Sequence, residues 1–138
     1  MKKGFTLVEV LIVVTITGII LSIIMITVGS ARDKAKDAAI KANLSGIRSE
    51  GEVYATDNPG SSYTNFCSST KMGEYKNAVL GLNKEGLGCR ESLDGKEWAA
   101  CADLVYEAGS YWCVDWQANA KIIAGDCNPT TWSNTTCP

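Results

Sequence analysis

Residues 5–57 read FTLVEVLIVVTITGIILSIIMITVGSARDKAKDAAIKANLSGIRSEGEVYATD, and within them the spacing of apolar residues changes character. From 5 to 28 Leu, Ile and Val fill most positions, small or hydroxylated residues stand between them, and there is no proline. At 1.5 Å per residue this run makes about 36 Å of helix, enough to cross a hydrocarbon core of about 30 Å with some tilt. From 29 onward the pattern is amphipathic. Ile40, Leu44, Ile47 and Tyr54 recur at i, i+4, i+7 and i+14, one face of a 3.6-residue period; Val53 extends that face, and Ala35, Ala38, Ala39 and Ala42 flank it. Asn58-Pro59-Gly60 ends the run, because the residue before a proline is pushed out of the helical region. The reading is one helix over 5–57, about 80 Å long, half in lipid and half backing a globular head. Two helices hinged at Gly29-Ser30 are the alternative.

Glu9 is the one ionisable residue in the apolar half. A carboxylate inside a membrane helix costs about 2.5–3.5 kcal/mol on insertion scales and is a functional-site hypothesis by default. It either protonates against a polar helix neighbour or finds a cation. A cleaved secretory signal has a shorter apolar core, about 7–15 residues, before a small-residue cut site. Val28-Gly29-Ser30 offers such a site, but the apolar run is too long and Glu9 lies inside it. An ordinary membrane anchor on a small external domain is a second reading.

A third follows from Lys3-Gly4-Phe5-Thr6-Leu7-Val8-Glu9, which resembles the leader junction of type IV prepilins and pseudopilins. The resemblance implies that a prepilin peptidase cuts between Gly4 and Phe5 on the cytoplasmic side and methylates the new Phe5 terminus. It also implies that Glu9 pairs with the Phe5 amine of a neighbouring subunit as a filament grows, which sets the axial register; register is the better-attested use of a buried ion pair. The Phe5 amine of the same subunit is one helical turn from Glu9. The implied partners are further copies in a helical filament, the peptidase, an inner-membrane assembly machinery, and the bilayer before assembly. One departure stands out: many members carry a proline late in the apolar segment, where this chain has Ile26. Gly18 is a candidate soft spot in its place, since glycine costs about 1 kcal/mol relative to alanine in a helix.

Charge and cysteine usage disagree about topology. Lys2 and Lys3 precede the span, whereas Arg32, Lys34, Lys36 and Lys41 follow it, offset in part by Asp33 and Asp37. Counting Lys and Arg alone puts the C-terminal side in the cytoplasm. All six cysteines, Cys67, Cys89, Cys101, Cys113, Cys127 and Cys137, come after the span. An even number in a small domain reads as a disulfide framework in an oxidising compartment. There is no C-x-x-C pair and no histidine, so no metal site or cofactor is expected, and Ser/His/Asp or Cys/His catalysis is excluded. The expected location is the bacterial cytoplasmic membrane, single-pass with the head outside, and a cell-surface filament after assembly.

The formal net charge of −2 becomes −4 once Lys2 and Lys3 are removed, which gives no indication of a nucleic-acid partner. The expected divisions are a leader at 1–4, a membrane or filament-core half-helix at 5–28, an amphipathic half at 29–58, and a β-rich head at 59–138. In the head, 96–104 after the Asp94-Gly95 turn is expected to pair with 111–116 around Glu107-Ala108-Gly109-Ser110, and 119–124 to add a third strand. Residues 73–83 read equally as a short helix or a loop. The fold class is α+β: a long N-terminal helix packed against a small antiparallel, disulfide-pinned sheet, as in pilins. GSYWCVD at 109–115 bears a weaker resemblance to a strand of some bacterial pilin heads.

Cys101 and Cys113 lie symmetrically about Glu107, so a hairpin sets them opposite each other. The expected pairing is therefore sequential: Cys67–Cys89, Cys101–Cys113 and Cys127–Cys137. In the family a disulfide near the C-terminus often bounds an exposed adhesive loop, a part that 127–137 can play, although a pinned polar terminus accounts for it as well. Asn43 and Asn134 each begin an N-x-Ser/Thr triplet; Asn43 falls on the helix, which leaves Asn134 as the candidate glycosylation site. Trp98, Trp112, Trp116 and Trp132 with Tyr106 and Tyr111 serve either as core and subunit contacts or as a sugar-stacking surface.

The functional expectation is a structural subunit, a major pilin, of an extracellular type IV pilus-like filament. A pseudopilin of a type II secretion or DNA-uptake system is the alternative, and a monomeric membrane-anchored binding domain is a second one from a different class. Adhesion, motility, secretion and DNA uptake are not separable at this level.

Overall fold

The computed structural model describes residues 4–125, 127 and 134–137. The chain divides into two compact units, one up to Asp33 and one from Lys34 onward. A single helix, α1 (Leu7–Asp57), runs through both and passes Gly18 and Gly29-Ser30 without a break. In the first unit its apolar side chains are exposed.

The second unit is α+β. After α1 come a 3-10 turn (Phe66–Ser68), helix α2 (Thr70–Asn83), and four strands: β1 (Leu87–Glu91), β2 (Trp98–Asp103), β3 (Ser110–Asp115) and β4 (Ala120–Ala124). The strands form one antiparallel sheet in the order β1-β2-β3-β4. The three expected strands are present, β2 and β4 trimmed by one or two residues at their ends and β3 shifted by one; β1 is an addition, and 73–83 resolves as most of α2. Ser69 caps α2 by accepting the Met72 amide at 3.2 Å, and the side chain of the buried Asn83 joins the end of α2 to Gly86 and to the Asp103 carbonyl.

The buried stripe of α1 is Asp37, Ile40, Leu44, Ile47, Gly51 and Ala55, a sequence of three- and four-residue steps. Val53, expected on this face, is 54% exposed. Gly51 is on the stripe instead, and Trp98 lies across it: a Cβ built on Gly51 would stand 2.8 Å from the Trp98 ring. Trp98 is fully buried, and its ring also meets Phe66 and Tyr63 at centroid distances of 5.0 and 6.2 Å. Together with Ile40, Leu44, Ile47, Met72, Val79, Ala100, Ala102 and Val114 these residues form the main core between α1 and one face of the sheet.

The other face is also covered. Ala99, Cys101, Cys113 and Ile123 pack with Cys127 and Cys137 in a second cluster. Strand β2 is thus buried on both faces, and its alanines let both layers close on it.

The disulfides follow from this second layer. Cys67 bridges Cys89, as the sequence suggested. Cys101 and Cys113 do stand opposite each other in the β2–β3 register, yet each bonds outward, Cys101 to Cys127 and Cys113 to Cys137. The expected Cys101–Cys113 and Cys127–Cys137 bridges are therefore corrected. Facing cysteines on one side of a hairpin serve equally well as two separate anchors, here for Cys127 and for Cys137. Asp115, fully buried, organises the same region: its carboxylate accepts the amides of Gln117 and Asn119, the Asn119 side chain, and the Cys137 amide at 3.0 Å.

Candidate functional site

The first unit is chemically simple. Phe5 is 81% exposed, and Val10, Leu11, Ile12, Val13 and Val14 are each more than half exposed, so apolar surface covers a full turn of α1. A helix that is apolar all round is one that enters a membrane or a bundle core. Among the described residues, α1 is the one helix long and apolar enough to cross a membrane. Its hydroxyl groups are satisfied internally: Thr15, Thr17, Ser22, Thr27 and Ser30 each donate to a carbonyl three or four residues back. In hydrocarbon, where water offers no alternative, that arrangement is the one available to an isolated helix.

Glu9 is held by Thr6. The carboxylate accepts the Thr6 amide at 3.1 Å and the Thr6 hydroxyl at 3.0 Å, while the Glu9 amide donates to the same hydroxyl at 3.3 Å. This is a capping box: Thr6 is the N-cap and Glu9 the third helical residue, and each side chain satisfies an amide that the helix start leaves unpaired. The acid also sits where the helix macrodipole favours a negative charge. Thr6 was legible as the first letter of a T-x-x-E signature, though the resemblance directs attention to Phe5 instead. In the uncut chain Phe5 contributes a peptide nitrogen rather than an amine.

In the second unit, the charges that trouble the topology count have structural occupations. Lys34 Nζ lies 4.7 Å from the centre of the Tyr106 ring, and Lys41 Nζ lies 5.0 Å from that of Trp112 and 3.5 Å from the Glu107 carboxylate. Asp37, on the buried stripe of α1, accepts the amides of Val105, Tyr106 and Glu107 in the β2–β3 turn. Arg48 donates to the Ala118 carbonyl. These contacts fasten the later part of α1 to both ends of β3. Burial, then the charges of Glu85 and Asp37, push the Asp103 carboxyl above the usual carboxylate range.

The remaining candidates divide. The aromatic residues are divided between the two sides of the sheet: Trp98 is core, Trp112 (beneath Lys41) and Trp116 pack against the same cluster, Tyr106 lies beneath Lys34, and Tyr111 packs on the opposite side. Trp132 lies outside the described residues, as does most of 127–137. Asn134 is exposed, but the Thr135 hydroxyl beside it donates to Glu97 at 2.6 Å. The Asn43 amide donates to the Ala39 carbonyl of its own helix.

No curated protein and no solved structure matches the chain. Residues 1–25 do match a family model, the prokaryotic N-terminal methylation motif. The chain thus carries the prepilin signature of type IV pilin-like and pseudopilin precursors, placed directly on an exposed apolar helix start and ahead of an α+β head.

Proposed function

We propose that this chain is the major structural subunit of an extracellular type IV pilus-like filament. The observation that carries the reading is the methylation motif running without a break into the 5–28 stretch of α1, whose every face is apolar and exposed and whose one charge is Glu9. In this reading prepilin peptidase cuts between Gly4 and Phe5 and methylates the Phe5 nitrogen. The 5–28 stretch holds the precursor in the cytoplasmic membrane with the head outside, and an assembly machinery then draws it into a helical fibre.

Glu9 has two successive partners in this scheme. In the precursor Thr6 satisfies it, which lowers the cost of keeping an acid in the bilayer. After the cut, the Phe5 amine of an incoming or resident neighbour supplies a cation, and an ion pair in low dielectric fixes where one subunit stops sliding against the next. The head plays no part in that chemistry and coats the fibre.

The test is an intact mass of the chain from cells that have the peptidase, together with imaging of their surface filaments. Loss of residues 1–4, a gain of one methyl group, and this chain as the dominant filament protein are expected. A mass that retains residues 1–4 overturns the reading. Processing with no surface filament, coupled to a secretion or DNA-uptake defect on deletion, identifies a pseudopilin instead.

A further inference from the structure

Four cysteines cluster on the outer face of the sheet, and the register sets two of them, Cys101 and Cys113, opposite each other. Gly88, Cys101, Cys113 and Lys121 are consecutive cross-strand partners in one row. The Leu104 amide bonds the Ser110 carbonyl at 3.0 Å, and the Trp116 amide bonds the Trp98 carbonyl at 3.1 Å. The pair Cys101–Cys113 lies an odd number of positions from both, so it is a non-hydrogen-bonded pair, the type with Cα atoms about 4.5 Å apart. Disulfides form at Cα separations of about 4.4–6.8 Å. Cys101 and Cys113 thus stand within bonding reach of each other, as well as of Cys127 and Cys137, whose Cα atoms lie 5.9 and 5.8 Å from theirs.

Room on this face is limited at one point. A Cβ on Gly88 would lie 2.9 Å from the Cys127 carbonyl oxygen and 3.4 Å from its sulfur. The missing side chain at position 88 is what lets the Cys127 backbone settle on the sheet.

We propose that Cys101, Cys113, Cys127 and Cys137 form an exchangeable latch, with the observed pairing in balance with Cys101–Cys113 plus Cys127–Cys137, and with Gly88 biasing it toward the former. The second pairing frees Cys127 and Cys137 from the sheet and uncovers Ala99 and Ile123. Exchange requires a catalytic thiol and no net oxidation. A thiolate attacks the Cys127 sulfur, forming a mixed disulfide and releasing the Cys101 thiolate. That thiolate attacks Cys113 and releases Cys137, which then attacks the mixed disulfide at Cys127 and regenerates the thiol. Each step breaks one S–S bond and forms one. The tail cysteines are the less deeply buried residues: Cys127 and Cys137 retain 5% and 7% exposure, and Cys101 and Cys113 none.

Lys121 is the one Lys or Arg between Cys101 and Cys137, which makes the two states separable. After tryptic cleavage the observed pairing holds peptides 97–121 and 122–138 together, whereas the alternative leaves them apart, each closed on itself. The full chain in detergent is equilibrated in a glutathione redox buffer, quenched with acid, alkylated, and digested without reduction. The separated peptides are expected as a minor species in wild type and to rise several-fold in Gly88→Ala. If neither protein yields them, the latch is wrong. Should Gly88→Ala not fold, the double variant Cys127→Ser/Cys137→Ser decides: its Cys101 and Cys113 must bridge each other in the same buffer, and free thiols at both positions overturn the proposal.

Discussion

The two units of this chain solve opposite problems with the same helix. Up to Asp33, α1 leaves its apolar residues open on every side and keeps the acid of its apolar run, Glu9, satisfied by an immediate neighbour, Thr6. From Lys34 onward it buries a narrow stripe and uses small residues where the stripe meets the widest ring, Trp98 over Gly51. The first unit is built to be completed by something outside the chain. The second is complete by itself, with both faces of its sheet covered. Substitutions in the two units should therefore fail in different assays.

Glu9→Val gives the sharpest separation. It should abolish filaments while leaving the melting of the head unchanged, because Glu9 bonds nothing beyond Thr6 among the described contacts. Fibres as abundant as in wild type would remove the charge pair from the assembly scheme. Trp98→Ala should do the reverse. It empties a fully buried indole site and is expected to cost about 3–5 kcal/mol of head stability, read by denaturant unfolding of the full chain in detergent, while removal of residues 1–4 continues.

A smaller test places one substitution at two points of α1. At Gly51 an alanine gains about 1 kcal/mol of helix propensity. Its Cβ, however, meets Trp98 atoms at 2.8 and 3.0 Å, and that ring is boxed in by Phe66 and Tyr63. Overpacking of this kind costs about 1–3 kcal/mol, so the net effect should be a loss. At Gly29 the same Cβ meets nothing within 4 Å, and only the propensity gain is left. Hydrogen exchange of the unassembled chain should show slower opening around Gly29→Ala and faster opening around Gly51→Ala. Equal signs at the two sites would erase the contrast between the units.

The legibility of the chain divides along the same line. The signals of the open unit are local: a span length, one acid and a T-x-x-E start are all consecutive in sequence, although the last of them went unread. In the closed unit, local signals also did well. Asn58-Pro59-Gly60 stops α1 at Asp57, and the Glu107–Ser110 turn, with Gly109 at φ 79°, joins β2 to β3. What escaped depends on residues brought from afar. Apolar character pointed to Val53, but the ring of Trp98 demanded Gly51. Strand β1 has no clean alternation, and α2 carries two glycines, so neither announces itself. The facing positions of Cys101 and Cys113 were legible from their symmetry about Glu107; that Cys127 and Cys137 bond to them was not, because no pattern within the hairpin says what packs on its second face.

Asp103 supplies the smallest effect and a check on how tightly the closed unit is packed. Its carboxyl is raised above the ordinary range by burial first, then by Glu85 and Asp37. A raised folded-state pKa means that the folded chain holds this proton more tightly than the unfolded one. Between the two values stability falls as pH rises, and above the folded value the penalty is fully present. Lowering the pH through that window should relieve it. Asp103→Asn removes the charge while keeping the shape, so it should raise the melting temperature slightly at pH 7. The gain should vanish below the ordinary carboxylate range, where Asp103 is protonated in both states. A gain of equal size at both pH values would trace the effect to packing rather than to charge, and a loss at pH 7 would show that the carboxylate is stabilised by the fold.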